Sequence, residues 1–383
     1  MSLANKLAKQ LGLNVASQIA EYAEKEHIEA LEPSLTWALC GGFARNRVNV
    51  LAGDSGSGKT TIAMIHAAVL HKINKESLVV VIDTEYYYHN KPKRIKRLSQ
   101  FGLDLDRLII KSTNDPGESF RLLTELETLM NKGIDICAIV VDSLGGVSTK
   151  AQEERIASGD AEKAGNQYGG SAKMIANTVK IMVRLAAEND CTIFCVQHAM
   201  EDMANSYGPP KKIIKGGQTL RLLSDTMLLF STINAKDSRI GIDGKITKNS
   251  ADVFAGKKIR VKVDKCRDGV EGRQVAMAIN FVNGEFINLE ESLFETAVKV
   301  GVIYHPKSST GNGENKLTWC FDYNNERQDY RGKPGAIQAL QNKEIFNSVL
   351  ENCLNANFVP KTEVLNDTVD TIDTVSYELE PEL

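Results

Sequence analysis

The residues best able to do chemistry form one stretch of glycines and small polar residues that ends in a lysine and a threonine. It matches the pattern G-x-x-x-x-G-K-[ST] at every fixed position and reads Gly53, Asp54, Ser55, Gly56, Ser57, Gly58, Lys59, Thr60. Glycines permit the tight turn that points successive backbone N–H groups into one concavity, where they bind phosphate oxygens. In this pattern the lysine reaches the terminal phosphates of a nucleotide and the threonine hydroxyl coordinates Mg²⁺. The stretch, together with the next residue Thr61, therefore predicts a site for a nucleoside triphosphate and Mg²⁺.

Two carboxylates and a glutamine–histidine pair follow apolar runs further along the chain. Asp142 ends the apolar run at 136–142, and Glu85 lies just past an earlier run. The Asp142 carboxylate can hold the Mg²⁺ shell, whereas the Glu85 carboxylate can orient and deprotonate an attacking water. Gln197 and His198 follow a third apolar run, and we expect their polar groups to face the same ligand.

Apolar runs alternate with stretches of helical spacing through much of the chain, and these elements have to position the chemistry. Continuous apolar runs indicate strands buried on both faces, and helices between them indicate parallel neighbours. We predict strands at 47–52, 78–83, 108–110, 136–142, 192–196, 226–230 and 259–263, and helices at 61–71, 118–132, 172–188 and 291–300. The fold class is therefore α/β with a mainly parallel central sheet. Ligands of such sheets bind beyond the carboxyl ends of the strands, where the glycine-rich stretch lies.

The charge of the chain is distributed unevenly. The formal net charge is −3, yet the residues after Lys361 include no Lys or Arg. Seven carboxylates lie there, at positions 363, 367, 370, 373, 378, 380 and 382. The rest of the chain is therefore mildly basic. An acidic tail of this kind either competes with nucleic-acid phosphates for a basic surface or is a solvated segment without a role.

The composition is that of a globular protein, with 42% apolar and 25% charged residues among 383. No apolar run approaches the length of a membrane span, and the first ten residues lack the apolar core of a signal peptide. The seven cysteines are scattered without zinc-like spacing, which favours buried thiols in a reducing compartment. We therefore expect a cytoplasmic protein without membrane contact.

The motifs and their order resemble one known family. Between Ser34 and Tyr304 the chain is similar to the RecA-type homologous recombinases, and within them to the phage recombinases called UvsX. The segment 34–42 is similar to the stretch that precedes the family's nucleotide-binding strand. Glu85 falls at the family's catalytic glutamate and Asp142 at its second nucleotide-binding motif. The resemblance implies a RecA-like P-loop ATPase core with ATP and Mg²⁺ as cofactors.

Two further pairs of residues acquire a role only through this resemblance. Gln197 and His198 stand where the family senses the γ-phosphate; bacterial members carry Asn-Gln there and the phage type Asn-His, so Gln197 departs from both. Lys265 and Arg267 match two cations that reach the neighbouring subunit's ATP, with Lys-x-Arg typical of the phage type. Positive charge there stabilises the departing γ-phosphoryl group. On spacing alone, both cations would be interpreted as solvated turn residues.

Two polar segments, 150–170 and 199–217, are predicted loops. By the resemblance they line the axis of a helical filament and bind DNA. Lysines can neutralise phosphates, N–H groups beside glycines can add contacts, and apolar side chains can wedge between bases. The expected DNA-binding residues are Met200, Lys211, Lys212, Ile213, Lys215, Gly216 and Gly217. The alternative for the second segment is a long surface loop without a ligand.

The resemblance also suggests how the chain divides. We expect an N-terminal helical oligomerisation segment at 1–33, a RecA-like ATPase core at 34–282, a small C-terminal α/β domain at 283–361 and an acidic, disordered tail at 362–383. The side chain that stacks on adenine is left open among the tyrosines at 86–88 and Arg97.

The resemblance implies a DNA-dependent ATPase that forms helical filaments on single-stranded DNA, pairs it with homologous double-stranded DNA and exchanges strands. Further copies of the chain, single-strand-binding proteins and mediator proteins are the other expected partners. A hexameric replicative helicase shares the core but normally carries an N-terminal collar domain, and only a short segment precedes Ser34. A DNA-binding scaffold with a vestigial ATPase is disfavoured by the intact Lys59, Glu85 and Asp142.

Overall fold

The computed structural model describes residues 26–144, 168–201, 212–214, 217–233, 238–241, 245, 247, 254–307 and 314–356. Within these ranges the strands are β1 His27–Ile28, β2 Phe43–Ala44, β3 Val48–Gly53, β4 Leu78–Asp83, β5 Leu108–Ser112, β6 Ile136–Asp142, β7 Thr192–Glu201, β8 Lys212–Ile214, β9 Thr226–Thr232, β10 Arg239–Gly241, β11 Phe254–Cys266, β12 Gln274–Asn280, β13 Glu285–Ile287, β14 Thr318–Tyr323 and β15 Glu326–Arg331. The α-helices are α1 Pro33–Ala38, α2 Lys59–Ile73, α3 Pro92–Leu98, α4 Pro116–Met130, α5 Tyr168–Glu188, α6 Gly217–Leu223, α7 Leu289–Val300, α8 Gly332–Ala339 and α9 Lys343–Asn355.

One mixed sheet forms the centre of the fold. Its strand order is β13-β12-β11-β9-β3-β7-β6-β4-β5, with β8 paired to β7 and β10 to β11. The six strands from β9 to β5 are parallel, which confirms the predicted mainly parallel α/β sheet. The carboxyl ends of β3, β4, β6 and β7 therefore meet at one edge, where the predicted chemistry lies.

The other end of the sheet is antiparallel, which the sequence analysis did not predict. Strands β11, β12 and β13 join β9 in antiparallel pairs. Ile259, Val261 and Val263 in β11 are buried while the residues between them are more exposed. This alternation is typical of an antiparallel strand with one buried face, rather than of the doubly covered strands at the centre.

Apolar side chains fill both faces of the sheet. All residues of β3 and β6 are buried. One face is covered by α2, whose Ile62 and Met64 lie in the same apolar cluster as Leu293 and Phe294 of α7. The opposite face is covered by α4, α5 and α6. In the described part of the chain the central strands are therefore enclosed on both sides, which leaves their ends for a ligand.

Capping residues determine where the helices beside the site begin. The predicted helix at 61–71 spans Lys59–Ile73, with Gly58 at its N-cap. The predicted helix at 118–132 spans Pro116–Met130, because the Asp115 side chain accepts a hydrogen bond from the Gly117 N–H and proline fits the first turn.

The C-terminal part contains a β-hairpin that the sequence did not predict. This hairpin of β14 and β15 comes first, and α8 and α9 follow it. Asn324 and Asn325 form its two-residue turn with φ of 53° and 61°. Two consecutive residues with positive φ match the twist of paired strands, so the asparagine pair was the hairpin signal that the analysis missed.

Several predicted segments lie wholly or partly outside the described residues. These are the N-terminal helical segment up to residue 25, most of the 150–170 loop, part of the 199–217 loop and the tail at 362–383. The described end of the N-terminal segment contains β1, which pairs with β2. The boundary at 282 stays a prediction. Among the described helices, none has the length and apolar character needed to cross a membrane.

Candidate nucleotide-binding site

The glycine-rich loop connects β3 with α2, and its glycines lie where other residues would not fit. Gly53 has φ 146°, and a Cβ there would be 2.1 Å from the carbonyl oxygen of Phe230. Gly58 has φ 87°, and a Cβ there would be 2.9 Å from the ring of Phe281. Glycine alone adopts such conformations readily. The loop therefore leads into the N-terminus of a 15-residue helix, where free N–H groups and the helix dipole favour an anion.

Lys59 and Thr60 begin α2 and face the ends of the strands. Lys59 is buried, and its Nζ donates hydrogen bonds to the carbonyl oxygens of Gly53 and Asp54 at 3.1 and 2.6 Å. Thr60 Oγ1 donates to Asp142 Oδ2 at 2.7 Å. The three side chains predicted to hold phosphate and Mg²⁺ thus belong to one cluster, although Asp142 lies far from the other two in sequence.

The environment of Asp142 opposes its ionisation. Burial raises its pKa to about 6, and the nearby carboxylates of Glu85 and Asp83 act in the same direction. The hydrogen bond from Thr60 and the charge of Lys59 lower it. A divalent cation at this carboxylate would favour the ionised form.

The donor set suits Mg²⁺ better than a softer metal. Thr60 and Asp142 offer a hydroxyl and a carboxylate oxygen 2.7 Å apart. No group of three or more His, Cys, Asp or Glu side chains able to hold a metal occurs in the described part of the chain. Mg²⁺ commonly takes one or two protein oxygens and completes its shell with water and substrate phosphates. The two residues therefore fit a Mg²⁺–nucleotide complex.

Glu85 lies opposite the loop and pairs with His198. Its Oε1 is 2.8 Å from His198 Nε2, and the Ser143 hydroxyl donates to the same oxygen at 3.5 Å. Gln197, the other member of the predicted pair, is fully buried, and its Oε1 accepts the His198 N–H at 3.2 Å. His198 therefore faces the site, while Gln197 supports the backbone behind it.

Two residues that the sequence analysis did not select hold this edge in place. Asp83 accepts hydrogen bonds from the N–H groups of Tyr87 and Tyr88, both at 2.9 Å. The Thr84 hydroxyl donates to the Ser143 carbonyl at 2.7 Å and accepts the Ser143 N–H at 2.6 Å. Asp83 ends β4 and Thr84 follows it, so their position just before Glu85 was the available signal.

A cavity of about 360 Å³ extends from the loop. It is lined by Ser55, Gly56, Gly58, Lys59, Thr60, Thr61, Glu85, Tyr87, Tyr88, Arg94, Arg97, Leu98, Phe101, Asp142, Val196, His198 and Phe281. Beyond the phosphate end the lining is largely aromatic and cationic, with Arg94 4.1 Å above the Tyr87 ring. Of the four candidates for adenine stacking, Tyr87, Tyr88 and Arg97 line the cavity and Tyr86 does not. Phe101 and Phe281 also line it, although the sequence did not indicate them as stacking residues. A flat aromatic base fits such walls.

Lys265 and Arg267 lie away from this cavity. Lys265 Nζ donates to the carbonyl oxygens of Arg221, Leu222 and Ser224 at 2.7, 3.0 and 2.5 Å. Arg267 donates to the Leu222 carbonyl at 3.0 Å. Both cations thus cap the C-terminal end of α6, and within one chain they do not contact the phosphate loop.

The predicted DNA-binding residues are only partly described. Lys211, Lys215 and Gly216 lie outside the described residues, as do the side chains of Met200 and Ile213, whose backbones pair between β7 and β8. Gly217 begins α6 with φ 76°. Lys212 contacts both carboxylate oxygens of Asp54 in the phosphate loop, at 2.5 and 2.6 Å. The second predicted loop therefore touches the nucleotide site directly.

Comparison with known proteins agrees with this architecture. Residues 3–286 match the family model described as the RecA N-terminal domain. The chain is 30% identical to the Protein RecA of Borrelia hermsii over 278 residues, which is 72% of this chain and 69% of the relative. It is 27% identical to the Protein RecA of Methylobacterium radiotolerans over 335 residues, covering 87% and 80% of the two chains. A phosphate loop at the open edge of a mainly parallel sheet and a match over most of the chain lead to one conclusion: this protein belongs to the RecA family.

Proposed function

We propose that this protein is a DNA-dependent ATPase that forms helical filaments on single-stranded DNA and catalyses homologous pairing and strand exchange. One observation carries the proposal: Lys59, Thr60, Asp142, Glu85 and His198 line a single cavity at the carboxyl ends of the strands. Membership of the RecA family supports recombination and repair as the context. Single- and double-stranded DNA are the proposed substrates, with ATP and Mg²⁺ as cofactors.

The positions of these side chains support hydrolysis. The loop N–H groups and Lys59 would bind the phosphates, while Thr60 and Asp142 would hold Mg²⁺, which would supply positive charge beside the phosphates. Glu85 orients a water molecule and accepts its proton. The hydrogen bond of 2.8 Å to His198 holds Glu85 in place and links it to β7, which continues into the proposed DNA-binding segment.

Lys265 and Arg267 are proposed to act on the ATP of a neighbouring subunit. Their contacts with the end of α6 keep them outside their own cavity, which is consistent with a role in trans. A cation beside the departing γ-phosphoryl group stabilises the transition state. Such an arrangement places ATP between subunits, so that nucleotide binding stiffens the filament and hydrolysis loosens it.

A closer relation to the phage UvsX recombinases is part of the proposal. It is supported by His198 and by the Lys265–Cys266–Arg267 sequence, whereas Gln197 departs from it. Single-strand-binding and mediator proteins are proposed partners on the same basis.

The proposal is tested by measuring ATP hydrolysis with and without single-stranded DNA and by imaging the same mixtures in negative stain. We expect DNA-stimulated hydrolysis and open helical filaments. Lys59→Ala is expected to abolish turnover because it removes the buried cation from the phosphate loop. Lys75→Ala, which changes an exposed lysine just beyond the same helix, is the matched control and should retain activity.

Each alternative outcome is distinct. Closed rings with hydrolysis would favour a hexameric helicase. DNA binding without turnover would favour a scaffold. Normal turnover in Lys59→Ala would contradict the proposal that ATP is hydrolysed in this cavity.

A further inference from the structure

Two cysteines that the proposed chemistry does not use lie close together beside Lys265 and Arg267. A Cβ placed on Gly269 would be 3.0 Å from Cys266 Sγ and 3.1 Å from Cys40 Sγ. The two sulfurs are therefore no farther apart than the sum of those distances. A side chain at position 269 would press against both of them.

The two thiols differ in their access to solvent. Cys266 is buried, with 7% of its surface exposed, whereas Cys40 is partly exposed. A small reagent can thus reach Cys40 first and Cys266 only afterwards. A thiol pair requires this order. The accessible thiolate attacks an oxidant from solvent, and the second thiolate then attacks the mixed disulfide that forms.

Polar contacts hold the segments of both cysteines together. Arg273 Nη1 donates to Cys40 Sγ at 3.4 Å and to the Trp37 carbonyl oxygen at 3.0 Å. On the other side of the turn, His27 Nε2 is 3.2 Å from Asp268 Oδ2. The turn after β11 is therefore joined to the end of α1 through Arg273 and to β1 through Asp268.

We propose that Cys40 and Cys266 are a thiol-oxidation site that forms a reversible disulfide with a small-molecule disulfide as oxidant. The Cys40 thiolate attacks one sulfur of the oxidant, which forms a mixed disulfide and releases one small thiol. The Cys266 thiolate then attacks Cys40 Sγ, which forms the protein disulfide and releases the second small thiol. The two protons lost by the cysteines go to the released thiolates, so one disulfide is reduced as another forms.

The bond would restrain the residues on either side of Cys266. Lys265 and Arg267 would be kept at the carbonyl oxygens at the end of α6, where they now lie. This consequence rests on the proposed function, in which both cations must reach a neighbouring subunit. The oxidised protein is therefore expected to bind ATP but to hydrolyse it poorly.

The test treats the full chain, free of nucleotide and DNA, with oxidised glutathione, blocks the remaining thiols and digests the protein without reduction. Mass spectrometry should find a peptide that links Cys40 to Cys266. Oxidation should remove most DNA-stimulated hydrolysis, and dithiothreitol should restore it. Cys40→Ser should have normal hydrolysis and keep it after oxidation, while Cys353→Ser, a control that removes another buried thiol, should respond as the unchanged protein does.

Gly269→Ala provides a second variant that keeps both thiols. Its methyl group would lie 3.0 Å from Cys266 Sγ and 3.1 Å from Cys40 Sγ, so at least one sulfur would have to shift and the yield of linked peptide should fall. Absence of the linked peptide from the unchanged protein would overturn the proposal, as would full activity of the linked protein or equal loss of activity in Cys40→Ser. Because the linked peptide is detected by mass, this result does not depend on whether the protein hydrolyses ATP.

Discussion

Glu85 and His198 form the contact on which the proposed activation of water depends. The two side chains are 2.8 Å apart, each partly exposed to the cavity. A carboxylate in this position can accept a proton from water, while the imidazole fixes its orientation. A variant of Glu85 can therefore distinguish two properties of the site, namely the binding of nucleotide and the activation of water.

Glu85→Gln tests this separation. The amide keeps the shape but cannot accept the proton, so turnover should fall by about 100-fold or more, while ATP-bound filaments still form on DNA. Steady-state hydrolysis and negative-stain imaging measure the two effects. Glu125→Gln, on the exposed face of α4, is the control. Unchanged turnover in Glu85→Gln would exclude a role as the base.

Asp142 gives a prediction on stability. Its folded-state pKa of about 6 exceeds the ordinary value of 3.8, so protonation favours the folded state. The stability that this group adds to the folded state is fully present below pH 3.8, and it is lost as the pH rises through about 6. Without Mg²⁺, Asp142→Asn should therefore be more stable than the unchanged protein at pH 7, by up to roughly 3 kcal/mol, and the gain should vanish near pH 4.

Denaturant unfolding across this pH range measures the difference between the two proteins. Asp106→Asn, which changes an exposed carboxylate, should show no such trend. A gain from Asp142→Asn that does not change with pH would contradict the explanation. The same variant should lose Mg²⁺-dependent hydrolysis. Folding is favoured by a neutral side chain at this position, whereas Mg²⁺ binding needs the ionised carboxylate.

At the scale of elements, the site is formed where three strands end beside one loop. Thr84 at the end of β4 bonds both backbone groups of Ser143, next to Asp142 of β6. Asp54 in the phosphate loop contacts Lys212 of β8, which pairs with the end of β7. These contacts make the positions of loop and strands depend on one another.

The Asp54–Lys212 pair is open to a double-mutant cycle. A carboxylate in the phosphate loop repels a triphosphate unless a cation balances it, so Lys212→Gln should weaken the binding of a non-hydrolysable ATP analogue. Asp54→Asn in the same chain should restore it, with a coupling free energy of about 1 kcal/mol. Calorimetric titration of the four proteins measures this coupling. Strictly additive effects would show that the contact is irrelevant to nucleotide binding.

At the scale of the whole molecule, the sheet separates two sets of predicted catalytic groups. The cavity lies at the carboxyl ends of the parallel strands, while Lys265 and Arg267 lie at the end of β11 against α6. A single chain therefore does not bring the two sets together. An assembly in which one copy's β11 end meets the next copy's cavity would complete the site.

Mixing two inactive variants tests this arrangement. Lys59→Ala lacks the phosphate-loop cation, and Lys265→Ala lacks a trans-acting cation, so neither should hydrolyse ATP alone. A mixture on DNA should regain turnover, because some interfaces combine an intact cavity with an intact Lys265. Recovery should grow with protein concentration. A mixture as inactive as its components, although both variants still form filaments, would contradict action in trans.

Much of the fold was predictable because its signals are local. The buried runs that became β4 and β6 differ in composition from their surroundings, and the sequences of α4 and α5 have the 3.6-residue period. The antiparallel pairing of β11 was not predicted, since periodicity does not specify a strand's neighbours. The β14–β15 hairpin could have been predicted from its turn residues, Asn324 and Asn325. The spacing of apolar residues does not reveal such a turn.

The sequence by itself determined the phosphate loop, because Gly53, Gly58, Lys59 and Thr60 lie within one short segment whose spacing fixes their relative positions. It also indicated the chemistry of Asp142 and Glu85 from their places at strand ends. Only the tertiary structure decided that Asp142 meets Thr60, that Lys212 meets Asp54 and that Cys40 lies beside Cys266. These contacts join distant parts of the chain, and strand order and side-chain packing, rather than local pattern, determine which of them form.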